Sequence, residues 1–65
     1  MDISAAPPQR IPDLLRFLRQ MGYAVEEVEY AVVEVDVETV EEELSLSRRL
    51  LVWSTVNHAT ARVIA

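Results

Sequence analysis

The sequence predicts a small α+β fold in which one N-terminal helix packs on a three-stranded antiparallel sheet, in the order α-β-β-β. Three observations predict it. Apolar residues follow a helical period from Ile11 to Met21, the composition shifts to valine, tyrosine and glutamate after Gly22, and apolar residues alternate with polar ones from Leu44 onward. A chain of 65 residues holds one domain at most and stabilises itself poorly. We therefore expect oligomerisation to complete the fold.

The first nine residues are expected to form a flexible leader, and residues 10–65 a single small domain. Two adjacent prolines remove backbone donors from the leader, and its small residues offer little surface to bury. An early acid, Asp2, and the lack of an apolar core are unlike a secretory signal. The longest apolar run, Leu50 to Trp53, is far shorter than the ~20 residues that span a bilayer. These features predict a cytoplasmic protein without a membrane partner.

Charge and cysteine content exclude further classes of function. The chain has eleven acids against six arginines and no lysine, which gives a formal net charge of −5. An acidic surface repels phosphate backbones, so nucleic acid is not an expected partner. Without cysteine there are neither disulfides nor thiolate metal sites, as is common in a reducing compartment.

The N-terminal helix is predicted over residues 11–21. Pro12 suits a first helical turn, Asp13 complements the positive end of the helix, and Gly22 is a typical terminator. Polar residues share the side opposite the apolar stripe. That stripe consists of Ile11, Leu14, Leu15, Leu18 and Met21.

A first strand is predicted after Gly22, because the residue types become β-branched and aromatic. Its centre is apolar on both faces, which is not expected of a strand that meets water on one side. Glutamates and aspartate flank this centre. One face carries Val28, Tyr30 and Val32, and the other carries Ala31, Val33, Val35 and Val37.

The next segment has two interpretations. Thr39 to Glu42 matches a capping box, which would begin a helix. Apolar residues then keep to even positions, and a helix would spread them around its whole circumference, so period two is favoured. We therefore predict a turn at residues 39–42, a second strand, a turn at Asn57-His58 and a last strand over Ala59–Ile64. The even-numbered apolar residues are Leu44, Leu46, Leu50, Val52 and Val56.

One helix can cover only one face of such a sheet, so the second apolar face needs a partner. Exposed apolar patches often mark partner surfaces, and the simplest partner is a second copy of the chain. The expected function is that of a small acidic protein-interaction module without catalytic activity, an oligomeric adaptor, regulator or accessory subunit that binds itself and another protein. The predicted interface consists of Ala31, Val33, Val35, Leu51 and Trp53.

The sequence contains no group of residues with an evident catalytic role. His58 is the only histidine, with no second imidazole or thiolate near it in sequence. The serines lack a glycine-flanked nucleophile turn. If the chain were an enzyme, we would expect its site at a subunit interface near Tyr30, Arg48 and His58. No catalytic residue and no cofactor is assigned.

Alternating acids are the one feature that suggests a cation. Glu34, Asp36 and Glu38 are spaced by about 6.5 Å along one strand face, but no oxygen-rich loop completes a site. We therefore predict a solvated face whose acids pair across strands with Arg48 and Arg49, and no metal site.

Residues Pro8 to Val28, a helix that ends at glycine and is followed by a strand, resemble the first helix and second strand of an ACT-type regulatory domain. The resemblance covers about a third of the chain. No strand is predicted before the helix, and the Pro-Gly turn with which such domains bind amino acids is Pro-Pro-Gln-Arg here, so no binding residues are assigned. Two alternative functions stay open: a small-molecule-sensing regulatory domain with its ligand at a subunit interface, and an acidic inhibitor of a nucleic-acid-handling enzyme.

Overall fold

Two helices and a four-stranded antiparallel sheet make up the structure, a computed structural model that describes residues 1–64. The sheet order is β2-β3-β1-β4, and this βαββαβ connectivity is the split βαβ arrangement of ferredoxin-like folds. The α+β class is confirmed, but the predicted layout of one helix and three strands is wrong. The elements are β1 (Asp2–Ala6), α1 (Ile11–Gln20), β2 (Val25–Glu29), β3 (Val32–Val35), α2 (Val40–Val56) and β4 (Thr60–Ile64), with a 3-10 turn at Pro8–Arg10.

The N-terminal residues form a central strand of the sheet, so the prediction of a flexible leader is wrong. Ile3 lies opposite Val33 of β3 on one side and Val63 of β4 on the other, and its side chain is fully buried. Ala5 faces the same way, whereas Asp2 and Ser4 face the other side of the sheet. The prolines follow the strand and do not interrupt it. β1 is also the strand that the ACT-type resemblance lacked.

Helix α1 confirms the first predicted element. Ile11, Leu14 and Leu18 are its buried residues, and Gly22 ends the helical segment at φ 91°. Asp13 lies in the first turn and accepts hydrogen bonds from Arg10 and Arg16, so the acid both complements the helix dipole and orders two arginines.

The single strand predicted after Gly22 is two strands joined by a tight turn at Tyr30 and Ala31. Ala31 adopts φ 60°, which reverses the chain, and the pairing of β2 with β3 shifts register between Glu27 and Glu29. The residues of the two predicted faces are therefore divided between two strands and the turn, with Val28 on β2 and Val32, Val33 and Val35 on β3. Val33 and Val35 face the core, whereas Tyr30 extends into solvent.

Residues 40–56 form helix α2, and the predicted second strand is wrong. The Thr39 hydroxyl accepts a hydrogen bond from the Glu42 amide, as the capping-box alternative requires. The buried residues Leu46, Leu50 and Trp53 follow helical spacing of four and three, and the remaining apolar residues of the segment are exposed. The sequence shows apolar residues at every second position because leucines and valines lie on all sides of this helix.

The Thr39 cap is expected to contribute about 1 kcal/mol to the free energy of unfolding. Thr39→Ala leaves the Glu42 amide without its side-chain acceptor, and urea unfolding followed by circular dichroism should show a loss of this size. Thr39→Ser keeps the hydroxyl and serves as the control. Equal destabilisation by serine and alanine would show that the methyl group, and not the cap, matters.

Both helices cover one face of the sheet, and together these layers enclose the core. The final strand is confirmed, beginning one residue later than predicted. Register and alternation place mostly polar side chains on the other face, including Asp2, Ser4, Glu34 and Arg62. Neither helix in residues 1–64 has the length and apolarity needed to cross a membrane. The core consists of Ile3, Ala5, Ile11, Leu14, Leu18, Val33, Val35, Leu46, Leu50, Trp53 and Ala61.

Candidate binding surface on helix α2

The predicted interface does not exist as one face. Val33, Val35 and Trp53 come together in the core of a single chain, where the two valines are fully buried. Ala31 lies in the β2–β3 turn. Leu51 is separated from them and is 70% exposed on the outer side of α2. Both helices cover the inner face, and mostly polar residues surround Val32 on the outer one. The premise of a sheet that is apolar over both whole faces is therefore wrong.

Helix α2 instead carries most of the large apolar side chains that the fold leaves in solvent. Their relative exposures lie between 56% and 71%. Exposed apolar groups concentrated on one element are unusual, because single scattered ones are the norm on protein surfaces. These side chains belong to Val40, Leu44, Leu51, Val52 and Val56.

The exposed residues of α2 form two separate surfaces. The first, which we call the outer stripe, is made of Val40, Leu44, Ser47 and Leu51 and lies about 130° round the helix from the buried residues. Beside it, Val63 of β4 borders a shallow groove with Ser47 and Leu51. The outer stripe therefore faces away from α1, towards the open β4 edge.

The second surface, which we call the interhelix groove, lies between α1 and α2 and has a volume of about 500 Å³. At its base Phe17 and Trp53 contact each other with ring centroids 6.3 Å apart and planes inclined by 36°. The indole is almost buried there. The full lining is Phe17, Arg48, Arg49, Val52, Trp53, Val56 and Asn57.

Among the described residues, two arginines and no acids line the interhelix groove. Both ion pairs formed in residues 1–64 use Asp13, so the predicted pairs between the strand acids and Arg48 or Arg49 are not formed. Arg48 and Arg49 were expected on a strand beside the acids. Because residues 40–56 form a helix, both arginines lie on α2 instead. Arg49 donates to the thioether sulfur of Met21 at 3.1 Å, which links α2 to the residue that follows α1.

The residues considered for catalysis are only partly brought together. Tyr30 is 81% exposed in the β2–β3 turn, and His58 is exposed in the turn after α2 with φ 52°. The topology places both turns at one end of the sheet, while Arg48 lies halfway along α2. Among the described residues, no three histidine, aspartate or glutamate side chains gather as metal ligands.

No protein-family model, curated protein or solved structure matches this chain. The exposed surfaces of the fold are thus the basis on which a function can be inferred, and both the outer stripe and the interhelix groove involve α2.

Proposed function

We propose that this chain is a protein-interaction module without catalytic activity, which binds a second copy of itself through the outer stripe of α2. The observation that carries the proposal is the exposure of Val40, Leu44 and Leu51, three large apolar side chains aligned along one side of a helix. Their burial by a partner is favourable, and polar residues bordering the stripe would orient that partner.

The spacing of the stripe supports a helix as its partner. Val40, Leu44, Ser47 and Leu51 are separated by four, three and four residues, which is the heptad spacing of a coiled-coil seam. Such a seam remains on one side of a helix and lets side chains of one copy insert between those of the other. The small Ser47 leaves space in the middle, where an opposing Leu44 fits.

Charge supports an antiparallel arrangement. Glu41, Glu42 and Glu43 all lie in the first turn of α2, so parallel helices would place six carboxylates side by side. In the antiparallel arrangement, heptad positions of the same kind face each other along each flank. Glu41 and Arg48 share one flank seven residues apart, so each Glu41 would lie beside Arg48 of the second copy.

The area of the stripe indicates a weak dimer. Burying one valine or leucine removes roughly 60–120 Å² of apolar surface from water. Three residues that are about two-thirds exposed therefore supply roughly 120–240 Å² per copy, against ~800 Å² of total surface per partner in a standard interface. The dimer population should thus depend strongly on protein concentration.

Disulfide trapping tests both association and direction, and the absence of native cysteine makes it clean. Antiparallel pairing places Val40 of one copy opposite Leu51 of the other. We expect a mixture of Val40→Cys and Leu51→Cys chains to give mainly the mixed disulfide dimer under mild oxidation, with little homodimer of either. Non-reducing electrophoresis and mass spectrometry, with one chain isotopically labelled, would identify the products.

Thr60→Cys provides the control, because Thr60 is exposed on the sheet face opposite the helices. The amount of disulfide dimer that Thr60→Cys forms measures the background crosslinking from random collision. A dominant Val40→Cys homodimer would show parallel helices. Crosslinking of all three variants at the background level, together with a monomer in sedimentation at millimolar concentration, would refute self-association through α2.

A further inference from the structure

We propose that the interhelix groove binds an apolar carboxylate, a small molecule with one negatively charged head and a hydrocarbon or aromatic body. This binding is separate from the self-association proposed above, because the groove lies on the α1 side of α2 and the outer stripe on the β4 side.

The size and walls of the groove fit a small organic molecule. Its volume of about 500 Å³ lies within the range of ligand sites in proteins, ~300–1,000 Å³. Val52 and Val56 form one apolar wall, and both are more than half exposed when the groove is empty. Phe17 supplies an aromatic surface against Trp53. An apolar body lying here would cover surface that the chain itself leaves in water.

The charge at the rim of the interhelix groove favours a carboxylate as the head group of the ligand. Within residues 1–64, the only charged side chains that line the groove are those of Arg48 and Arg49, although acids outnumber arginines nearly two to one in the chain. A guanidinium is a planar fork of N–H donors that matches a carboxylate with two parallel hydrogen bonds. An anion is therefore favoured at this point of an otherwise acidic protein.

Arg49 is the better placed of the two arginines. Its hydrogen bond to the Met21 sulfur is the one that its side chain makes within residues 1–64, and sulfur is a weak acceptor. The contact anchors the guanidinium beside the groove and uses one of its five N–H donors. Arg48 lies between the groove and the flank of the outer stripe, so Arg49 alone is assigned to the groove.

Decanoate is a suitable probe, with decan-1-ol as the neutral molecule of equal chain length. Trp53 is the only tryptophan and lies in the groove, so its fluorescence reports occupancy. We expect decanoate to give a saturable change in emission. Arg49→Gln should weaken that binding roughly tenfold, the lower end for hydrogen bonds to a charged group, and should leave decanol binding unchanged.

Arg62→Gln is the matched control, because it removes an arginine of equal charge from the far face of the sheet. Circular dichroism and the urea midpoint confirm that each variant is folded. The proposal is overturned if decanoate gives no saturable signal, if Arg62→Gln weakens binding as much as Arg49→Gln, or if decanol loses affinity equally. A change in Trp53 fluorescence that saturates as the protein concentration rises, without decanoate, would assign the groove to a second copy. That result would also overturn the proposal.

Discussion

Ile3→Asp is expected to unfold the protein at room temperature. Ile3 lies on the central strand β1 with no solvent exposure, between Val33 and Val63 of the neighbouring strands. The substitution removes a large buried side chain and places an unpaired carboxylate in an apolar layer, which costs several kcal/mol. A core of this size rarely supplies more than ~3–5 kcal/mol in total. Circular dichroism should show loss of both helices.

Ser4→Asp is the control for this result. Ser4 is the next residue of β1, faces the opposite side of the sheet, and lies opposite Arg62 of β4. The same new charge is therefore only partly buried and near a cation, and we expect a loss of unfolding free energy of no more than about 1 kcal/mol. If residues 1–9 were the flexible leader that the sequence suggests, both variants would be equally well folded.

Leu46→Ala should lower the free energy of unfolding by about 2–5 kcal/mol, the second largest effect that we expect. Leu46 lies fully buried on α2, within the core that the two helices and the sheet enclose. Its truncation leaves a cavity between layers that are held by short strands and cannot easily close. Urea unfolding at low protein concentration, where the proposed dimer would not be populated, would measure the loss.

Leu51→Ala is the matched control on the same helix. Leu51 is 70% exposed, so the same change of side chain should cost less than about 1 kcal/mol in the isolated chain. Losses of similar size at both positions would contradict the placement of Leu46 in the core and of Leu51 in solvent.

Elements whose signals are local and agree with each other could be predicted from the sequence. The α1 helix has an apolar stripe, Pro12 in its first turn and Gly22 as its terminator, and all three indicate the same boundaries. The last strand likewise follows a turn at Asn57-His58. Strand β1 has no such agreement, because only Ile3 and Ala5 mark its buried face and the prolines beyond them suggest a disordered leader.

The interface predicted from the sequence depended on the period assigned to residues 44–56, and the structure gives this segment helical spacing. Two positions apart, Leu51 and Trp53 share one face of a strand, but on a helix they lie about 200° apart. The structure accordingly buries Trp53 and exposes Leu51. The Thr39 capping box was the correct local signal, and it indicated a helix before the alternation began. Leu46, Leu50 and Trp53 are separated by four and three residues, and this helical spacing also supports the helix.

The position of β1 between β3 and β4 also determines how the sheet closes. Residue 2 lies opposite residue 64, so β1 and β4 pair across a long stretch of chain, whereas a tight turn joins β2 to β3. Closing a long loop is slow relative to forming a local hairpin, so we expect the β2–β3 hairpin to form before β1 pairs with β4. Until β4 pairs, one side of β1 exposes backbone N–H and C=O groups to which a strand of another molecule could bind.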